Sequence, residues 1–186
     1  MGQLDEEQDW IRQSGNGDSE AFGALIARYQ RMVHSLTFRM TGSLADAEDL
    51  AQETFIQAFR RLDSFRGESK FSSWLCQIAV NTCLNWNKRE ARRERIQQGW
   101  AEHEQVFDDA NAAMSPAEKE NTRRVQEALL SLNPKQRAAV VLTVYEGMNH
   151  AEAARTLRCP ESTISWRLFA ARAKLKRLLK TKPSND

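Results

Sequence analysis

The sequence predicts an all-α protein built from two small helical domains joined by a flexible acidic linker. Apolar side chains repeat at three- and four-residue spacing along most of the chain, whereas no stretch shows the period of two that strands require. Only 8 glycines and 4 prolines interrupt the 186 residues. Helix-capping residues precede most of the apolar-periodic segments, so these segments are predicted to be separate helices.

Charge is distributed unevenly along the chain. Residues 1–95 hold 13 basic and 14 acidic side chains. Residues 96–115 hold no basic and 4 acidic side chains, whereas residues 116–186 hold 14 basic and 7 acidic ones. A basic segment favours a polyanionic partner, because neutralising phosphates releases their counterions. The same charge is also compatible with a solvated basic helix, so charge alone does not assign the partner.

Residues 1–95 are predicted to form one domain, with a short amphipathic helix followed by three long helices. Asp18 is expected to cap the first long helix. Ser43 and Asp46 form a predicted capping box for the second long helix, on which Phe59 is expected to face inward. A loop separates the second and third long helices.

The middle of the chain is predicted to be a linker, because residues 96–115 show no clean periodicity and carry no basic side chain. Residues 116–186 are then predicted to hold four helices. Ser115 and Asn133 each precede a proline, a pairing typical of a helix start. Gly147 is expected to end the second of these helices.

The last two helices predict a helix-turn-helix. Asn149 is expected to cap a short helix, a turn at Cys159 and Pro160 follows, and a longer helix begins at Glu161. Such a pair presents its second helix to a DNA major groove. One face of the longer helix is apolar and is predicted to be core: Ile164, Leu168, Ala171, Leu175, Leu178 and Leu179.

The opposite face of this helix is predicted to contact DNA. Exposed aromatic side chains on a solvated helix are a liability without a partner. On DNA they can contact thymine methyls or sugars, while hydroxyls reach base edges and cations reach phosphates. The predicted contact residues are Ser162, Thr163, Ser165, Trp166, Arg167, Phe169 and Arg172. A core helix at a dimer interface is the alternative; a membrane-surface helix is disfavoured by the short helix before the turn.

Two more surfaces are predicted in the N-terminal domain. Asp46, Asp49 and Glu53 share one stripe of the second long helix, a pattern that by itself is typical of a solvated face. The third long helix carries a ridge that changes from amide to basic side chains: Asn81, Asn85, Lys88, Arg89, Arg92 and Arg93. Together with Trp86 and the loop at residues 63–70, this ridge is interpreted as a surface that holds unstacked bases.

Several motifs together resemble the extracytoplasmic-function (ECF) sigma factors of the sigma-70 family. They are DAEDLAQETF at residues 46–55, LDSFRG at 62–67, FSSWL at 71–75, EGMNHAEAA at 146–154 and CPESTI at 159–164. The resemblance covers nearly the whole chain, and the motifs stand in the family's order and spacing.

The resemblance implies a role in transcription initiation in the cytoplasm. The implied partners are core RNA polymerase, through its β′ clamp and β subunits, promoter DNA, and an anti-sigma factor that is often tethered to a membrane. Docking on the β′ clamp would use Asp46, Asp49, Leu50, Gln52, Glu53 and Phe55. The −10 element would be read and opened by Ser64, Phe65, Arg66, Asn81, Asn85, Lys88, Arg89 and Arg92. The C-terminal helix would read the duplex −35 element.

The predicted recognition helix departs from the family's common pattern. Ser165 and Trp166 stand where a basic residue and a small serine are frequent, and Ala170 stands where a basic residue is common. The resemblance therefore does not carry over a −35 sequence to this chain.

Two other function classes compete with this interpretation. A helix-turn-helix repressor or activator that does not bind core polymerase leaves the acidic stripe and the basic ridge unexplained. An anti-sigma or adaptor protein leaves the basic end of the last helix unexplained.

An enzyme is not expected, and no catalytic residue, metal site or cofactor is predicted. His34, His103 and His150 are scattered along the chain, and the sequence has no glycine-rich phosphate loop. Cys76 and Cys83 lie two helical turns apart and are interpreted as small apolar residues of a helix rather than as a metal or redox pair.

Overall fold

The computed structural model describes residues 2–96 and 115–180, and within these ranges the protein is helical without strands. The elements are α1 (Gly2–Gly15), α2 (Ser19–Thr41), α3 (Leu44–Arg60), a 3₁₀ turn (Leu62–Ser64), α4 (Phe71–Ile96), α5 (Pro116–Leu130), α6 (Pro134–Val140), a π-helical turn (Val141–Tyr145), α7 (His150–Thr156) and α8 (Glu161–Lys180). The predicted all-α class is confirmed. Nearly all of the predicted linker lies outside the described residues. None of the described helices is long and apolar enough to cross a membrane.

The helices begin where their capping residues stand. The Asp18 carboxylate accepts a hydrogen bond from the backbone N–H of Glu20 at 2.9 Å. Ser115 and Asn149 each form a complete capping box with the acid three residues later. At Ser43 only one half of the predicted box forms, because its own N–H donates to Thr41 Oγ1 at 3.4 Å.

The N-terminal unit, α1–α4, is organised around α2. This helix packs against α1, α3 and α4 and buries Leu25, Val33, Leu36 and Met40. The hydroxyl of Thr37 is fully buried and donates to the carbonyl of α3 residue Ala47 at 2.8 Å, which fixes the crossing of the two helices.

The structure corrects one predicted core residue of α3. Phe59 is 45% exposed and only one side of its ring is covered, by Phe22 at a centroid distance of 4.9 Å. The helix ends at Arg60, and the chain then turns so that Leu62 enters the core instead. The prediction was wrong because helical spacing alone does not show how far the neighbouring helix reaches.

The C-terminal unit, α5–α8, packs α8 against α5, α6 and α7. Ile164, Leu168 and Ala171 are buried as predicted, but Leu178 and Leu179 are 39% and 40% exposed. Leu175 is half-buried against the core, whereas residues 176–180 are exposed. The last turn of α8 therefore projects beyond the core, and the predicted apolar face is core only over its first four turns.

The two units pack against each other through α2 and α4. The buried Gln126 of α5 donates to the carbonyl of Phe38 at 2.9 Å, and the Arg39 guanidinium lies 4.2 Å from the centre of the Tyr145 ring. Gln77 of α4 donates to the carbonyl of Thr156 at 3.4 Å. Buried side chains of both units thus form one continuous core.

Arg137 of α6 lies at the centre of this contact and is 6% exposed. Its guanidinium donates to carbonyls at the end of α5 and in the following turn, those of Leu129 at 3.0 Å, Leu130 at 2.7 Å and Leu132 at 3.1 Å. Carbonyls at the end of a helix lack the regular helical partners, and that of Leu129 also accepts from the backbone N–H of Leu132 at 3.0 Å. A further N–H donates to the carbonyl of Met40 at the end of α2. Burial lowers the Arg137 pKa to about 10, so the group stays charged at neutral pH.

The cysteines of α4 are buried between the units. Burial raises the thiol pKa of Cys76 far above its ordinary range, and that of Cys83 to about 12. A thiol that does not ionise at neutral pH is a weak nucleophile and a weak metal ligand. Their position agrees with the interpretation as small apolar helix residues.

We expect Arg137→Met to lower the free energy of unfolding by at least about 3 kcal/mol, because several buried carbonyls lose a charged donor. Urea denaturation followed by circular dichroism measures the change. Arg123→Met is the matched control, since Arg123 pairs with Glu120 and Glu127 on the solvent-exposed side of α5. Exposed pairs contribute at most about 1 kcal/mol, and equal losses in the two variants would contradict the assigned role of Arg137.

Candidate nucleic-acid interface

A helix-turn-helix is present at the predicted place. The capping box of Asn149 and Glu152 fixes the start of α7, with both bonds at 2.9 Å. Arg158 then takes a left-handed backbone conformation with φ of 47°, and the N–H of Cys159 closes the turn on the carbonyl of Ala154 at 3.0 Å. This reversal seats α8 across α7.

The buried faces of the two helices hold α8 in a fixed rotation. Ala153 of α7 and Ile164 of α8 are fully buried, and Leu157 is half-buried beside them. The buried face also determines which residues are exposed, because each residue of a helix is rotated by a fixed angle of about 100° from the one before it.

The exposed face of α8 carries the predicted −35 contact residues. Trp166 and Phe169 are 65% and 75% exposed, more than any other large apolar side chain of the described residues. Solvent-exposed rings of this size on neighbouring turns form an apolar surface that lacks cover. Ser162, Ser165 and Arg172 are exposed beside them, and Thr163 and Arg167 are half-buried.

The Arg167 side chain points partly toward the turn between α7 and α8. Its Nη1 lies 3.6 Å from Cys159 Sγ, a weak donor–acceptor contact. The guanidinium therefore lies at the edge of the exposed face rather than at its centre, which suits a contact to a phosphate more than one to a base edge.

A residue outside the predicted set belongs to this face. The Nδ1 atom of His150, at the start of α7, lies 3.1 Å from Ser165 Oγ in the middle of the exposed face. His150 had been interpreted only as a scattered histidine. The two residues are 15 positions apart and share no spacing pattern, so only the packing of α7 on α8 could bring them together.

The predicted basic ridge lies on the exposed side of α4, where its last member, Arg93, pairs with Glu90 at 2.9 Å. Asn81, Asn85, Lys88, Arg89 and Arg92 are all exposed and fall within one helix face about 100° wide. Trp86, on the neighbouring face, is half-buried against the core. The ridge offers amide groups at one end and three cations at the other, as a contact for bases and phosphates requires.

The loop between α3 and α4 is anchored by aromatic packing. The Phe65 ring lies edge-on to Phe71 at 5.4 Å and also 5.4 Å from Trp74. Phe65 is thus half-buried and holds the loop, whereas its predicted neighbours Ser64 and Arg66 are exposed. Tyr29 completes the cluster against Phe71, and burial together with its hydrogen bond to Glu7 raises the Tyr29 pKa to about 12.

The predicted docking residues of α3 divide by exposure. Asp49 and Gln52 are exposed, Asp46, Glu53 and Phe55 are half-buried, and Leu50 is buried. Leu50 therefore serves to seat the helix, and its side chain is not on the surface. The exposed part of α3 also includes Ile56 and Phe59, each 45% exposed, which extend the acidic stripe with apolar area.

Comparison with known proteins matches both units. The family model for sigma-70 region 2 matches residues 25–93, and the model for sigma-70 region 4 matches residues 122–175. The ECF RNA polymerase sigma-E factor of Salmonella typhi is 35% identical over 173 residues, covering 89% of this chain and 90% of its own. The RNA polymerase sigma-H factor of Pseudomonas aeruginosa is 32% identical over 184 residues and covers 94% of each chain.

Solved structures agree with this assignment. The chain resembles CnrH, in its complex with the cytosolic domain of CnrY, with a TM-score of 0.67 at 27% identity, covering 94% of this chain and 97% of that one. The sigma factor RpoE of Bartonella quintana, in complex with the anti-sigma factor NepR, shares the fold, with a TM-score of 0.73 at 24% identity over 87% of this chain and 98% of its own. With both regions matched in order and relatives above 30% identity aligned over nine-tenths of their length, the protein belongs to the ECF sigma factors of the sigma-70 family.

Proposed function

We propose that residues 1–95 dock on core RNA polymerase and open the −10 element, that residues 96–115 form the linker, and that residues 116–186 read the duplex −35 element. One observation carries the proposal: a single chain presents a helix-turn-helix with an uncovered recognition face and, on a separate unit, a ridge of amide and basic side chains. A factor that binds duplex DNA alone has no use for the second surface. The proposed role is promoter selection in the cytoplasm, where core polymerase acts, with no chemical step catalysed by this chain.

Docking on the β′ clamp is assigned to the exposed face of α3. Asp49, Gln52 and Glu53 supply the polar part of this face, and Gln57 supports it by donating from Nε2 to Glu53 Oε1 at 2.8 Å. Ile56 and Phe59 supply the apolar part. A charged rim around an apolar centre is the composition of stable protein interfaces, and large apolar side chains there usually carry most of the binding energy.

Opening of the −10 element is assigned to the ridge of α4 and the adjoining loop. Asn81 and Asn85 carry amides that can donate to and accept from base edges, while Lys88, Arg89 and Arg92 can neutralise phosphates. Ser64 and Arg66 are the exposed groups of the loop, and Phe65 anchors it. A loop held at its root keeps a fixed position beside a base that has left the stack, which supports the role implied by the resemblance.

Control by an anti-sigma factor is part of the proposal. CnrH, which is similar over most of the chain, is seen with the cytosolic domain of CnrY. In this chain an open, mainly apolar groove borders the recognition face at Arg172, and its other lining residues include Val125, Val144, Tyr145 and Leu179. Such a groove favours a protein partner over DNA, and a membrane-tethered anti-sigma factor would hold the chain at the inner face of the membrane.

The test of the proposed function is reconstitution with core polymerase. The full chain should co-purify with core enzyme, and the complex should direct run-off transcription from specific start sites in fragmented genomic DNA. Tight duplex binding by the chain alone as a dimer, with no polymerase association, would instead establish the helix-turn-helix repressor or activator.

We expect Ile56→Glu to weaken association with core polymerase by at least about tenfold, because a charge would be buried in the apolar part of the docking face. Titration of fluorescently labelled protein with core enzyme measures the affinity. Ala27→Glu is the control, since it adds the same charge at an exposed position of α2 in the same unit. Equal affinities of the two variants would show that α3 does not dock there.

We expect Trp166→Ala to weaken binding of the −35 duplex by about five- to thirtyfold while core association stays unchanged, as removal of one large apolar contact predicts. Val144→Ala is the control, because Val144 is 64% exposed in the same unit but lies on the π-helical turn rather than on α8. Equal loss of duplex binding and core association in Trp166→Ala would mean that Trp166 maintains the structure.

A further inference from the structure

The hydrogen bond between His150 and Ser165 joins the two helices of the motif at the recognition face. His150 is the first residue of α7 and is half-buried, and the capping box before it holds its backbone in place. Ser165 lies in the second turn of α8 with its side chain exposed. The 3.1 Å separation of Nδ1 and Oγ links a fixed residue to one that faces the proposed DNA.

The hydroxyl of Ser165 has two partners inside the protein. Besides Nδ1 of His150, the carbonyl of Glu161, which can only accept, lies 3.3 Å from Ser165 Oγ. When Nδ1 carries a proton, it donates to Oγ, and the long bond to Glu161 is the one that the serine proton can then make. When Nδ1 is unprotonated, Ser165 can donate to it, which turns the proton inward and leaves the lone pairs of Oγ facing outward. The tautomer with its proton on Nε2 therefore makes Ser165 an acceptor.

We propose that His150 is a positioning residue that fixes Ser165 as a hydrogen-bond acceptor, so that Ser165 selects a base with an amino group in the major groove. Adenine N6 and cytosine N4 are the donors exposed there, whereas guanine N7 and O6 and thymine O4 are acceptors. A serine with a free hydroxyl contacts both kinds of base and discriminates little. The proposal rests on the proposed function of α8 in reading a duplex and adds the chemical class of one base that it reads.

Removal of the imidazole leaves Ser165 with the long bond to Glu161 alone. The hydroxyl can then rotate and donate to an acceptor on guanine or thymine, so discrimination at that position should fall. The expected decrease is about three- to tenfold, the effect of one hydrogen bond. In His150→Asn the amide reaches the same place, because its Oδ1 and Nδ2 are two bonds from Cβ, as Nδ1 of histidine is, and discrimination should be kept.

The experiment selects duplexes with a randomised −35 segment on the complex of the full chain with core polymerase and compares base frequencies by sequencing. Wild type, His150→Ala, His150→Asn, Ser165→Ala and the double alanine variant are run in parallel. We expect one base pair whose preference in wild type is lost in both single alanine variants, and at which the double variant loses no more than Ser165→Ala alone. Because every base pair carries one amino group in the major groove, on adenine or on cytosine, the preferred duplex is also prepared with N6-methyladenine or N4-methylcytosine at that pair. The methyl group should weaken binding of wild type more than binding of Ser165→Ala. Preferences at the other positions should not change.

Three results would overturn the inference. The methyl group on the amino nitrogen could affect wild type and Ser165→Ala equally, His150→Ala could weaken all positions equally, as a structural defect would, or the two alanine effects could add. A wild-type complex without any base preference in the −35 segment would overturn the proposed reading of the −35 element itself. That outcome differs from the other three, in which wild type remains selective.

Discussion

The hydrogen bonds of a single buried guanidinium join the N-terminal and C-terminal units of the molecule. Arg137 donates to carbonyls at the end of α5 and in the turn after it, and to the carbonyl of Met40 at the end of α2. A planar fork with five donors can serve carbonyls from two helices at once, which a lysine ammonium cannot do in the same geometry. This one side chain, at the start of α6, therefore links the end of α5 to the end of α2.

Much of the fold could be predicted because its signals are local. The caps at Asp18, Ser115 and Asn149 need only the residues within one turn of them, and all three form as the sequence indicates. The exposed rings of Trp166 and Phe169 could be predicted as well, since the buried Ile164 and Leu168 leave them no other side of the helix. The apolar face of a helix predicts which side of it turns toward the core, and it therefore also predicts which residues face solvent.

The features that escaped prediction depend on where a helix ends relative to its neighbours. Phe59 and Leu178 have the spacing of core residues but lie where the neighbouring helix no longer covers them. The contact of His150 with Ser165 and that of Arg137 with Met40 join residues 15 and 97 positions apart, and no periodicity links such pairs. Most of the surfaces assigned to polymerase and promoter could be predicted from the sequence, whereas their apolar extension at Ile56 and Phe59 and their fine adjustment by His150 required the packed structure.

Gly42 shows how closely the ends of α2 and α5 are fitted. It ends α2 in a left-handed conformation with φ of 78°, and a β-carbon built there would stand 2.3 Å from Cδ1 of Leu130. Glycine therefore serves two purposes here. It adopts a backbone conformation that other residues rarely adopt, and it leaves space that the Leu130 side chain occupies. Asparagine tolerates the backbone, but its β-carbon would require the Leu130 side chain to move. We therefore expect a side chain at residue 42 to be accommodated through a shift, or a change of size, at residue 130.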